Sequence, residues 1–447
     1  MSAPKKILII GGGFTGLTAA WKLSQDENFS ITLVESSGQL GGLAAGFPLL
    51  GTSLEKAYHH LFLTDTSILK LVEELGLSDK LMWCESSMGI YRDGRIHPFM
   101  SPADLLRFHP CGFWGRLRMG FTALYLKHKK NWRGLADRRA HEWMTKACGR
   151  SAMEAVWTPL LKGKFDRHYD SVSMAWLWAR IHIRANSRGP GGGREKLGYF
   201  RGGFNVVTSA LENEIRKRGV KIQTGATVEK FLPDGRAAVI AGETAPFDCC
   251  IFTGPSPAFA RLLPAGESLN DYAAKLRSIE YLGAICLVFA GDQELGDFYW
   301  NNVNEPGAPF LVFLNHTRLV DKNCYGGKNV YYIGAYLPPE GKIFSLPDEE
   351  LAKLWFGYLP KLFPEFDARR VTERHIFRFK AAQHIVDTGY EGKIPDYRTP
   401  LPGVFLANFS QVFPEDRGTN FAVREGLKIA EMVRRFQPVH AKTPPES

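Results

Sequence analysis

Three glycines near the start of the chain are spaced for binding the diphosphate of a dinucleotide. Gly11, Gly13 and Gly16 fit the pattern G-x-G-x-x-G, with Phe14 and Thr15 between the last two. In this pattern the first glycine permits a tight turn, the second lets a diphosphate approach the backbone, and the third lets a helix pack closely on a strand. The anion then lies at the helix N-terminus, where free N–H groups and the helix dipole favour it. The sequence therefore predicts a dinucleotide-binding loop here.

A carboxylate follows this loop at the distance that ribose binding requires. Glu35 lies about 20 residues after Gly16 and is followed by Ser36. A carboxylate in this position can accept hydrogen bonds from both ribose hydroxyls. A glycine triplet alone would also fit an ordinary turn of an α/β fold. The triplet, the acid and the flanking apolar segments together favour nucleotide binding.

A second pair of glycines, Gly41 and Gly42, follows the acid and precedes Leu43. Residues without side chains let a ligand approach the backbone at a second place. A unit that binds only a nicotinamide dinucleotide has no need of this second loop. No further G-x-G-x-x-G follows an apolar strand in the sequence, which argues against a separate nicotinamide domain.

Together these motifs resemble those of the superfamily of flavin monoamine oxidases, protoporphyrinogen oxidases and phytoene desaturases, whose members hold FAD and carry the double glycine after the ribose-binding acid. The likeness includes a bacterial subgroup similar to protoporphyrinogen oxidases, with Tyr-His-His-Leu-Phe (58–62) and Pro-Glu-Asp-Arg-Gly-Thr-Asn (414–420). The resemblance covers most of the chain. It implies an FAD-dependent oxidoreductase.

The resemblance also implies FAD contacts in the middle and at the end of the chain. In relatives, the backbone at the position of Val228 meets the adenine, and a small-residue turn at Thr253 and Gly254 lies near the cofactor. In the final segment a helix N-terminus faces the pyrimidine edge of the flavin, where it stabilises the negative charge of the reduced form. The contacts implied in this segment are Asn408, Arg417, Gly418, Thr419 and Asn420, with Thr419 as the helix cap.

The sequence departs from the family pattern at two places. Many relatives have an arginine just after the double glycine, where this chain has Leu43 and Ala44. Relatives also commonly have Gly-Asp where this chain has Asn408 and Phe409. The hydrogen bond from that acid to the cofactor must therefore be made by the Asn408 amide or be absent.

Two adjacent histidines, His59 and His60, follow the double-glycine loop, in a segment that runs alongside the flavin ring in related enzymes. Either could orient the flavin or relay a proton near neutral pH. The alternative is that one of them is a hydrogen-bonded packing residue. Neighbouring residues of an extended segment point to opposite faces, so a shared metal site is not expected.

Arg378, Lys380 and His384 precede the final FAD segment, where relatives place substrate-facing residues over the flavin. These three are the other candidates for handling substrate or a proton, and the alternative is a surface strand with solvated charges. Arg417 would meet a flavin phosphate or a substrate carboxylate, or else pair with one of the two acids immediately before it.

The segment 104–133 is basic and aromatic. It holds seven Lys or Arg residues and one Asp, so it carries a net charge of 7 − 1 = +6, out of +10 for the whole chain. Leu117, Phe121, Leu124 and Tyr125 share one helical face. Such a helix could lie on an anionic membrane surface, or it could be a lid over the core with its basic side in water. No nucleic-acid recognition motif accompanies the charge, so no nucleic-acid partner is expected.

The composition is that of a globular protein of 447 residues, with 45% hydrophobic and 23% charged residues. This excludes a disordered acidic protein. Seven cysteines without a Cys-x-x-Cys pair indicate neither a disulfide framework nor a zinc site. The N-terminal apolar run is too short for a signal peptide or a membrane span. The expected location is the cytoplasm, with possible attachment to the inner face of the membrane.

The predicted fold class is α/β, with a Rossmann-like FAD-binding lobe assembled from three segments and a mixed α+β substrate lobe. The FAD lobe comprises 1–90, 196–270 and 396–437, the substrate lobe 91–195 and 271–395, and a disordered tail 438–447. The elements predicted for the first lobe include strands at 5–10, 31–34, 220–223, 247–253 and 404–407, and helices at 14–23, 204–218 and 420–435.

The expected function is removal of two electrons, as hydride, from a largely apolar or amine-bearing small molecule. Oxygen, a quinone or another acceptor would then reoxidise the flavin. Two alternatives stay open: a non-redox flavoenzyme resembling UDP-galactopyranose mutase, and a non-enzymatic flavin-binding protein associated with a membrane.

Overall fold

The computed structural model describes residues 3–187 and 194–437. Its strands, in chain order, are β1 (Lys5–Ile10), β2 (Phe29–Glu35), β3 (Gly46–Leu49), β4 (Thr52–Glu55), β5 (Leu61–Phe62), β6 (Leu81–Glu85), β7 (Met88–Arg92), β8 (Arg95–Pro98), β9 (Lys196–Phe200), β10 (Lys221–Thr224), β11 (Val228–Phe231), β12 (Ala237–Ile240), β13 (Glu243–Pro246), β14 (Cys249–Phe252), β15 (Tyr281–Gly291), β16 (Trp300–Val303), β17 (Val312–Asn315), β18 (Asn329–Leu337), β19 (Val371–His384) and β20 (Val404–Leu406). Its α-helices are α1 (Phe14–Leu23), α2 (Thr66–Glu74), α3 (Pro102–Arg107), α4 (Phe113–His128), α5 (Ala140–Cys148), α6 (Arg150–Ala152), α7 (Thr158–Phe165), α8 (Met174–Asn186), α9 (Asn205–Lys217), α10 (Ser256–Leu262), α11 (Glu267–Arg277), α12 (Asp348–Phe356), α13 (Leu359–Leu362), α14 (Tyr390–Lys393) and α15 (Thr419–Arg434).

The first lobe is built on a parallel sheet with the strand order β10-β2-β1-β14-β20. Its strands come from all three segments that the sequence assigns to this lobe. Strands β1 and β14 lie in the interior of the sheet and are apolar runs, as expected where helices cover both faces. Helix α1 has the predicted bounds, and the other predicted elements differ by at most three residues at either end.

The second lobe combines a mixed sheet with a cluster of helices. The sheet has the order β19-β15-β18-β17-β16-β7-β8, and helices α3 to α8 form a separate apolar core beside it. Strands β15 and β19 are long and antiparallel, with Ile285 opposite Arg378. The α/β class with a mixed second lobe is confirmed.

Two of the predicted lobe boundaries cut through elements. The boundary at 90/91 falls inside β7, which pairs with β8 and β16 of the second sheet. The boundary at 270/271 falls inside α11. Local periodicity marks the elements, but only strand pairing shows to which sheet each one belongs. The predicted tail 438–447 and a glycine-rich bend at 189–193 lie outside the described residues.

No helix in the described ranges combines the length and the apolar character needed to cross a bilayer. The seven cysteines are free thiols. Within the same ranges, no group of three or more His, Cys, Asp or Glu side chains is arranged to hold a metal ion.

Candidate active site

The glycine loop between β1 and α1 has the backbone conformation that its sequence predicts. Gly11 has φ of 111°, a value that favours glycine. A Cβ atom on Gly16 would lie 1.9 Å from the Gly11 carbonyl oxygen, so only glycine lets the helix approach the strand this closely. The Thr253 hydroxyl donates to the carbonyl oxygens of Ile10 (3.0 Å) and Gly11 (3.2 Å) and ties β14 to the loop.

The second glycine pair lies directly beside this loop. The Gly41 N–H donates to the Gly12 carbonyl at 2.8 Å, and Gly13 and Gly41 form a parallel bridge. A Cβ atom on Gly42 would lie 3.1 Å from the Cα atom of Gly13. The two loops therefore form one surface of bare backbone that side chains would obstruct.

This surface suits the diphosphate of a dinucleotide. Helix α1 starts at Phe14 and Thr15, and its N-cap, Gly13, makes no side-chain capping hydrogen bond. The first N–H groups of the helix are thus free for an anion, as the predicted loop requires. The donor set and the bare backbone fit FAD, and these residues would hold its diphosphate.

Glu35 lies at the carboxyl end of β2, beside this loop. One of its carboxylate oxygens accepts a hydrogen bond from the Gly12 N–H (2.7 Å), and the other accepts from the Ser37 N–H (2.7 Å) and the Ser36 hydroxyl (3.3 Å). The Glu35 carbonyl accepts from the Ala226 N–H at 3.1 Å. That contact brings the start of β11, with Val228, next to the ribose-binding acid. These residues stand together where a nucleotide's adenosine end would lie.

Asn408 does not stand in for the family's acid. Its amide nitrogen donates to the Gly254 carbonyl (2.8 Å) and the Ser256 hydroxyl (3.2 Å), while its oxygen accepts from the Ser410 N–H (2.9 Å). The side chain is buried, and these partners occupy its donors and acceptor. Of the two alternatives, these contacts favour the absence of a hydrogen bond from this amide to the cofactor: Asn408 braces the loop of Gly254.

The last helix, α15, has a different N-cap residue from the one predicted. Gly418 is the N-cap and Thr419 is the first helical residue, so the assignment of Thr419 as the cap is wrong. The Asn420 side-chain oxygen accepts from the N–H groups of Ser67 (2.9 Å) and Ile68 (3.2 Å) at the start of α2. Gly418, Thr419 and Asn420 all line a cavity between the lobes.

We call this space, of about 200 Å³, the inner cavity. It brings together Leu43 from the double-glycine loop, both adjacent histidines, and the start of α15. Helices α7 and α8 and strands β15, β18 and β19 close its other sides. Its acidic, basic and histidine lining residues are His59, His60, Asp65, Lys164, Arg180, Arg184, Asp416 and Arg417.

Both histidines are neutral at neutral pH in this environment. Burial lowers the pKa of His59 to about 4. Burial, with the positive charge of Arg184, lowers the pKa of His60 to about 3. His59 Nδ1 lies 2.7 Å from the Ala57 carbonyl oxygen, which can only accept, so this nitrogen carries the proton and Nε2 is the acceptor. His60 Nδ1 lies 3.4 Å from the Tyr299 hydroxyl.

A buried ion cluster lies beside the histidines. Asp416 accepts from Lys164 Nζ (2.7 Å), an Arg180 guanidinium nitrogen (2.8 Å) and Trp176 Nε1 (3.3 Å). Burial alone would raise the pKa of Asp416, but Lys164, Arg180 and Arg417 hold that pKa well below its ordinary value. Burial also lowers the pKa of Lys164, despite the opposing effect of Asp416. Asp416 thus stays ionised, and Lys164 gives up its proton more readily than an exposed lysine.

Arg417 faces this cavity and not its two acidic neighbours. Its guanidinium donates to the Tyr336 hydroxyl at 2.7 Å and lies 5.5 Å from the centre of that ring. Its Nε has no partner among the described residues. Arg417 makes no direct ion pair with Glu415 or Asp416, which was one of the two alternatives. Its guanidinium is therefore available to a ligand, as the other alternative expects.

The structure does not bring Arg378 or Lys380 to the inner cavity. The Arg378 guanidinium donates to the carbonyls of Phe344 (3.0 Å) and Leu346 (2.7 Å) and pairs with Asp348. Side chains alternate along β19, so Phe379 faces the cavity and Arg378 the opposite side. Lys380 is exposed to solvent. The prediction that Arg378 and Lys380 face the substrate is therefore wrong.

His384 is fully buried beneath the cavity. Its ring packs against those of Tyr281, Tyr390 and Phe409, with centroids 5.3 to 6.4 Å apart. Burial lowers the pKa of His384 to about 3. Neither ring nitrogen has a hydrogen-bond partner within the described ranges. It is a neutral packing residue here and does not line the cavity.

The sequence analysis missed the cations of α7 and α8. Lys164 lies in α7 with Leu160 and Leu161, and Arg180 and Arg184 lie one helical turn apart in α8, which is rich in Trp and Ala. Charged residues on an otherwise apolar helix are a signal of buried partners. That signal was present in the sequence, but Asp416, the partner of Lys164 and Arg180, is more than 200 residues away.

A second, larger space, the outer cavity of about 670 Å³, adjoins the first. It lies under α3 and α4, and its lining is mainly apolar, with Ile90, Phe99 and Leu177 among its residues. The residues that line both cavities are Leu160, Arg180, Arg184, Trp300 and Asn302. A ligand with an apolar body can therefore extend from the inner cavity into the outer one.

Comparison with known proteins agrees with this geometry. The model of the family of flavin-containing amine oxidoreductases matches residues 14–426. The coproporphyrinogen III oxidase of Staphylococcus aureus (strain NCTC 8325 / PS 47) is 22% identical over 259 residues, which are 51% of this chain and 55% of that protein. The chain thus spans about half the length of this relative. The 15-cis-phytoene desaturase of Arabidopsis thaliana is 23% identical over 434 residues, which are 90% of this chain and 75% of that protein.

The fold is shared with solved structures as well. A crystal structure from Exiguobacterium sp. 255-15, provisionally assigned as a protoporphyrinogen oxidase, superposes with a TM-score of 0.76 at 19% identity, covering 97% of this chain and 99% of that one. The fold and the paired glycine loops thus define an FAD-binding protein. The chain belongs to the family of flavin-containing amine oxidoreductases, whose model matches nearly its whole length. The predicted family and cofactor are confirmed.

Proposed function

We propose that this oxidoreductase takes a hydride from a largely apolar small molecule bound in the joined cavities. The observation that carries the proposal is that the inner cavity, beside the FAD-binding elements, shares five lining residues with an apolar outer cavity of about 670 Å³. The inner cavity holds more cations than carboxylates. This disfavours a protonated amine, so an apolar substrate is preferred over an amine-bearing one. Oxygen, a quinone or another diffusible molecule would accept the electrons.

The residues of the inner cavity would position the substrate and manage its protons. Bound FAD supplies a two-electron acceptor for hydride. Neutral His59, with its proton fixed on Nδ1, offers Nε2 as a hydrogen-bond acceptor. Lys164, whose pKa is lowered by burial, can take or give a proton beside Asp416. The surrounding aromatic side chains, such as Trp300 and Tyr336, restrict the entry of water.

Anaerobic reduction of the purified, flavin-loaded protein tests this function. A panel of porphyrinogens, polyenes, steroids, amines and sugar nucleotides is added, and bleaching of the flavin absorbance is followed. We expect bleaching by a member of the apolar classes. Bleaching by amines alone would contradict the substrate class. Conversion of a sugar nucleotide without net electron transfer would instead support the non-redox alternative.

We also propose that the surface formed by α3 and α4 rests on an anionic membrane. Among the described residues, six of the seven exposed large apolar side chains lie on this α3–α4 surface, which is defined by Leu106, Phe113, Trp114, Phe121, Leu124 and Tyr125. Helix α4 buries Met119, Thr122 and Leu126 instead. Met119 and Leu126 pack into the core of the second lobe, as the lid alternative expects, while Phe121 and Tyr125 on another face of α4 stay exposed and available to a membrane.

Charge and position support a lipid partner for this surface. Exposed Arg107, Arg118 and Lys130 flank the apolar side chains, which suits anionic headgroups above an apolar interior. Leu106, Phe121 and Leu124 also line the outer cavity. An apolar substrate could thus pass from the bilayer into the protein without crossing water.

Co-sedimentation with vesicles of phosphatidylglycerol and phosphatidylcholine tests the membrane proposal. We expect the double variant Phe121→Ser and Leu124→Ser to bind about tenfold or more weakly, because it removes two apolar side chains from the contact. Leu354→Ser, which alters the exposed leucine outside this surface, is the matched control and should bind normally. Equal binding by the double variant would contradict the proposal.

A further inference from the structure

Arg184 lies at the junction of the two cavities without a carboxylate partner. It belongs to α8, one turn after Arg180, and it lines both cavities. Arg180 has its counterion in Asp416, whereas no carboxylate of the described residues lies within 4.0 Å of Arg184. The Arg184 guanidinium contacts the sulfur of Met88 at 3.5 Å and lies 5.8 Å from the centre of the Trp300 ring. A thioether sulfur is a weak acceptor for a charged donor.

The Arg184 guanidinium is partly buried and has no carboxylate within ion-pair distance among the described residues, so it has lost part of its hydration without gaining a counterion. Removing a cation from water is unfavourable unless an anion or strong acceptors replace the water. Burial accordingly lowers the pKa of Arg184, and the positive charge of Arg180 adds to this effect. Glu195 lines the outer cavity and opposes the effect, but it does not reach ion-pair distance. The cost is recovered if a bound ligand supplies the missing negative charge.

The charges around the inner cavity lead to the same conclusion. Four cationic side chains line it, against two carboxyl groups. Of the two, Asp416 is already bound to Lys164 and Arg180. Burial raises the pKa of the other, Asp65, to about 6, which reduces its negative charge below neutral pH. The cavity therefore attracts an anion. Of its two cations that also line the outer cavity, Arg180 is paired with Asp416, whereas Arg184 has no carboxylate within 4.0 Å among the described residues.

We propose that Arg184 binds the anionic group of an amphiphilic substrate whose apolar body fills the outer cavity. The planar guanidinium can donate two parallel hydrogen bonds to a carboxylate or a phosphate. The apolar lining of the outer cavity takes up the rest of the molecule. This inference rests on the proposed function, because it specifies the substrate class of the same cavities.

Calorimetric titration of the flavin-loaded protein with three ligands of equal chain length tests the proposal. Dodecanoate, dodecyl phosphate and dodecanol are added below their micelle-forming concentrations. We expect at least one of the two anions to bind about tenfold more tightly than dodecanol. The stronger of the two identifies the preferred anionic group. Equal binding of all three, or no binding by any, would overturn the inference.

Variants separate Arg184 from the rest of the positive surface. Arg184→Gln should abolish the preference for the anion, and Arg184→Lys should keep only part of it because the ammonium lacks the planar fork. Arg107→Gln, which removes an exposed arginine of the α3–α4 surface that lines neither cavity, is the control and should retain the preference. A preference that persists in Arg184→Gln would place the anion elsewhere, for example on the α3–α4 surface, and refute the assignment.

The result is distinguishable from a failure of the proposed function. A purified protein that holds no flavin would refute the cofactor-dependent function itself. A yellow protein without the anion preference would refute only the role of Arg184. If Arg184→Gln loses its flavin, the preference for the anions over dodecanol is compared between the wild type and Arg184→Lys. A preference that is equally strong in both would then refute the role of Arg184.

Discussion

Glu55 makes the stability of the protein depend on pH in a way that a single substitution should remove. The residue ends β4 and is fully buried. Its carboxyl group accepts from the Tyr199 hydroxyl at 2.7 Å and from the Phe204 N–H. Burial raises the pKa of Glu55 from 4.5 to about 7, although both hydrogen bonds act in the opposite direction.

The sign and size of the effect follow from this pKa. Between pH 4.5 and about 7 the folded protein keeps a proton that the unfolded chain releases. The free energy of unfolding therefore falls as the pH rises, by about 1.4 kcal/mol per pH unit. The contribution of Glu55 is fully present below pH 4.5. By pH 8 about 3 kcal/mol of it is lost.

Glu55→Gln should abolish this loss. The glutamine mimics the protonated acid, because its oxygen can accept from the Phe204 N–H while its nitrogen donates to the Tyr199 oxygen. Urea unfolding of both proteins, followed by circular dichroism in excess FAD from pH 4.5 to 8, gives the difference in unfolding free energy. Other titrating groups cancel in that difference. Between pH 4.5 and 8, we expect the unfolding free energy of the variant to rise by about 3 kcal/mol relative to that of the wild type.

The matched control is Glu365→Gln, which changes an exposed carboxylate in the second lobe. The difference in unfolding free energy between Glu365→Gln and the wild type should stay nearly constant from pH 4.5 to 8. A constant difference for Glu55→Gln as well would show that Glu55 ionises normally in the folded protein. The argument from burial would then fail.

Three further predictions concern the cofactor loop, the ion cluster and the loop of Asn408. Gly13→Glu should prevent flavin retention, because a carboxylate would take the place of the diphosphate at the start of α1; a yellow protein with the normal flavin content would show that the loop is misassigned. Asp416→Asn should destabilise the protein by about 3–5 kcal/mol in urea unfolding, because Lys164 and Arg180 lose their counterion, whereas the exposed Asp297→Asn should change stability by less than about 1 kcal/mol. Asn408→Asp should cost about 1–3 kcal/mol, since it replaces the donor to the Gly254 carbonyl by an acceptor; unchanged thermal unfolding would contradict the bracing role.

The first lobe was largely predictable from the sequence because its signals are local. The alternation of apolar runs and glycines around Gly11 defines a strand, a turn and a helix within about 30 residues. The parallel sheet then follows from general rules of β-α-β connection. The position of Glu35 beside the loop is likewise fixed by the length of this unit.

The catalytic candidates were less predictable, because their roles depend on the direction of each side chain. Arg378 and Phe379 are neighbours in the sequence, yet they lie on opposite faces of β19, and the pairing with β15 decides which face meets the cavity. Asn408 appeared free for a cofactor until the structure showed its partners at Gly254 and Ser256.

The α/β class, the dinucleotide loop and the family could all be predicted from the amino-acid sequence, since each depends on residue types at short, fixed spacings. The chemistry of the cavity became visible only in the folded protein. Lys164, Arg180 and Asp416 form one ion cluster across more than 200 residues of chain. Burial lowers the pKa of Lys164, and the neighbouring cations lower the pKa of Asp416. Both effects depend on how the lobes pack and not on any local segment.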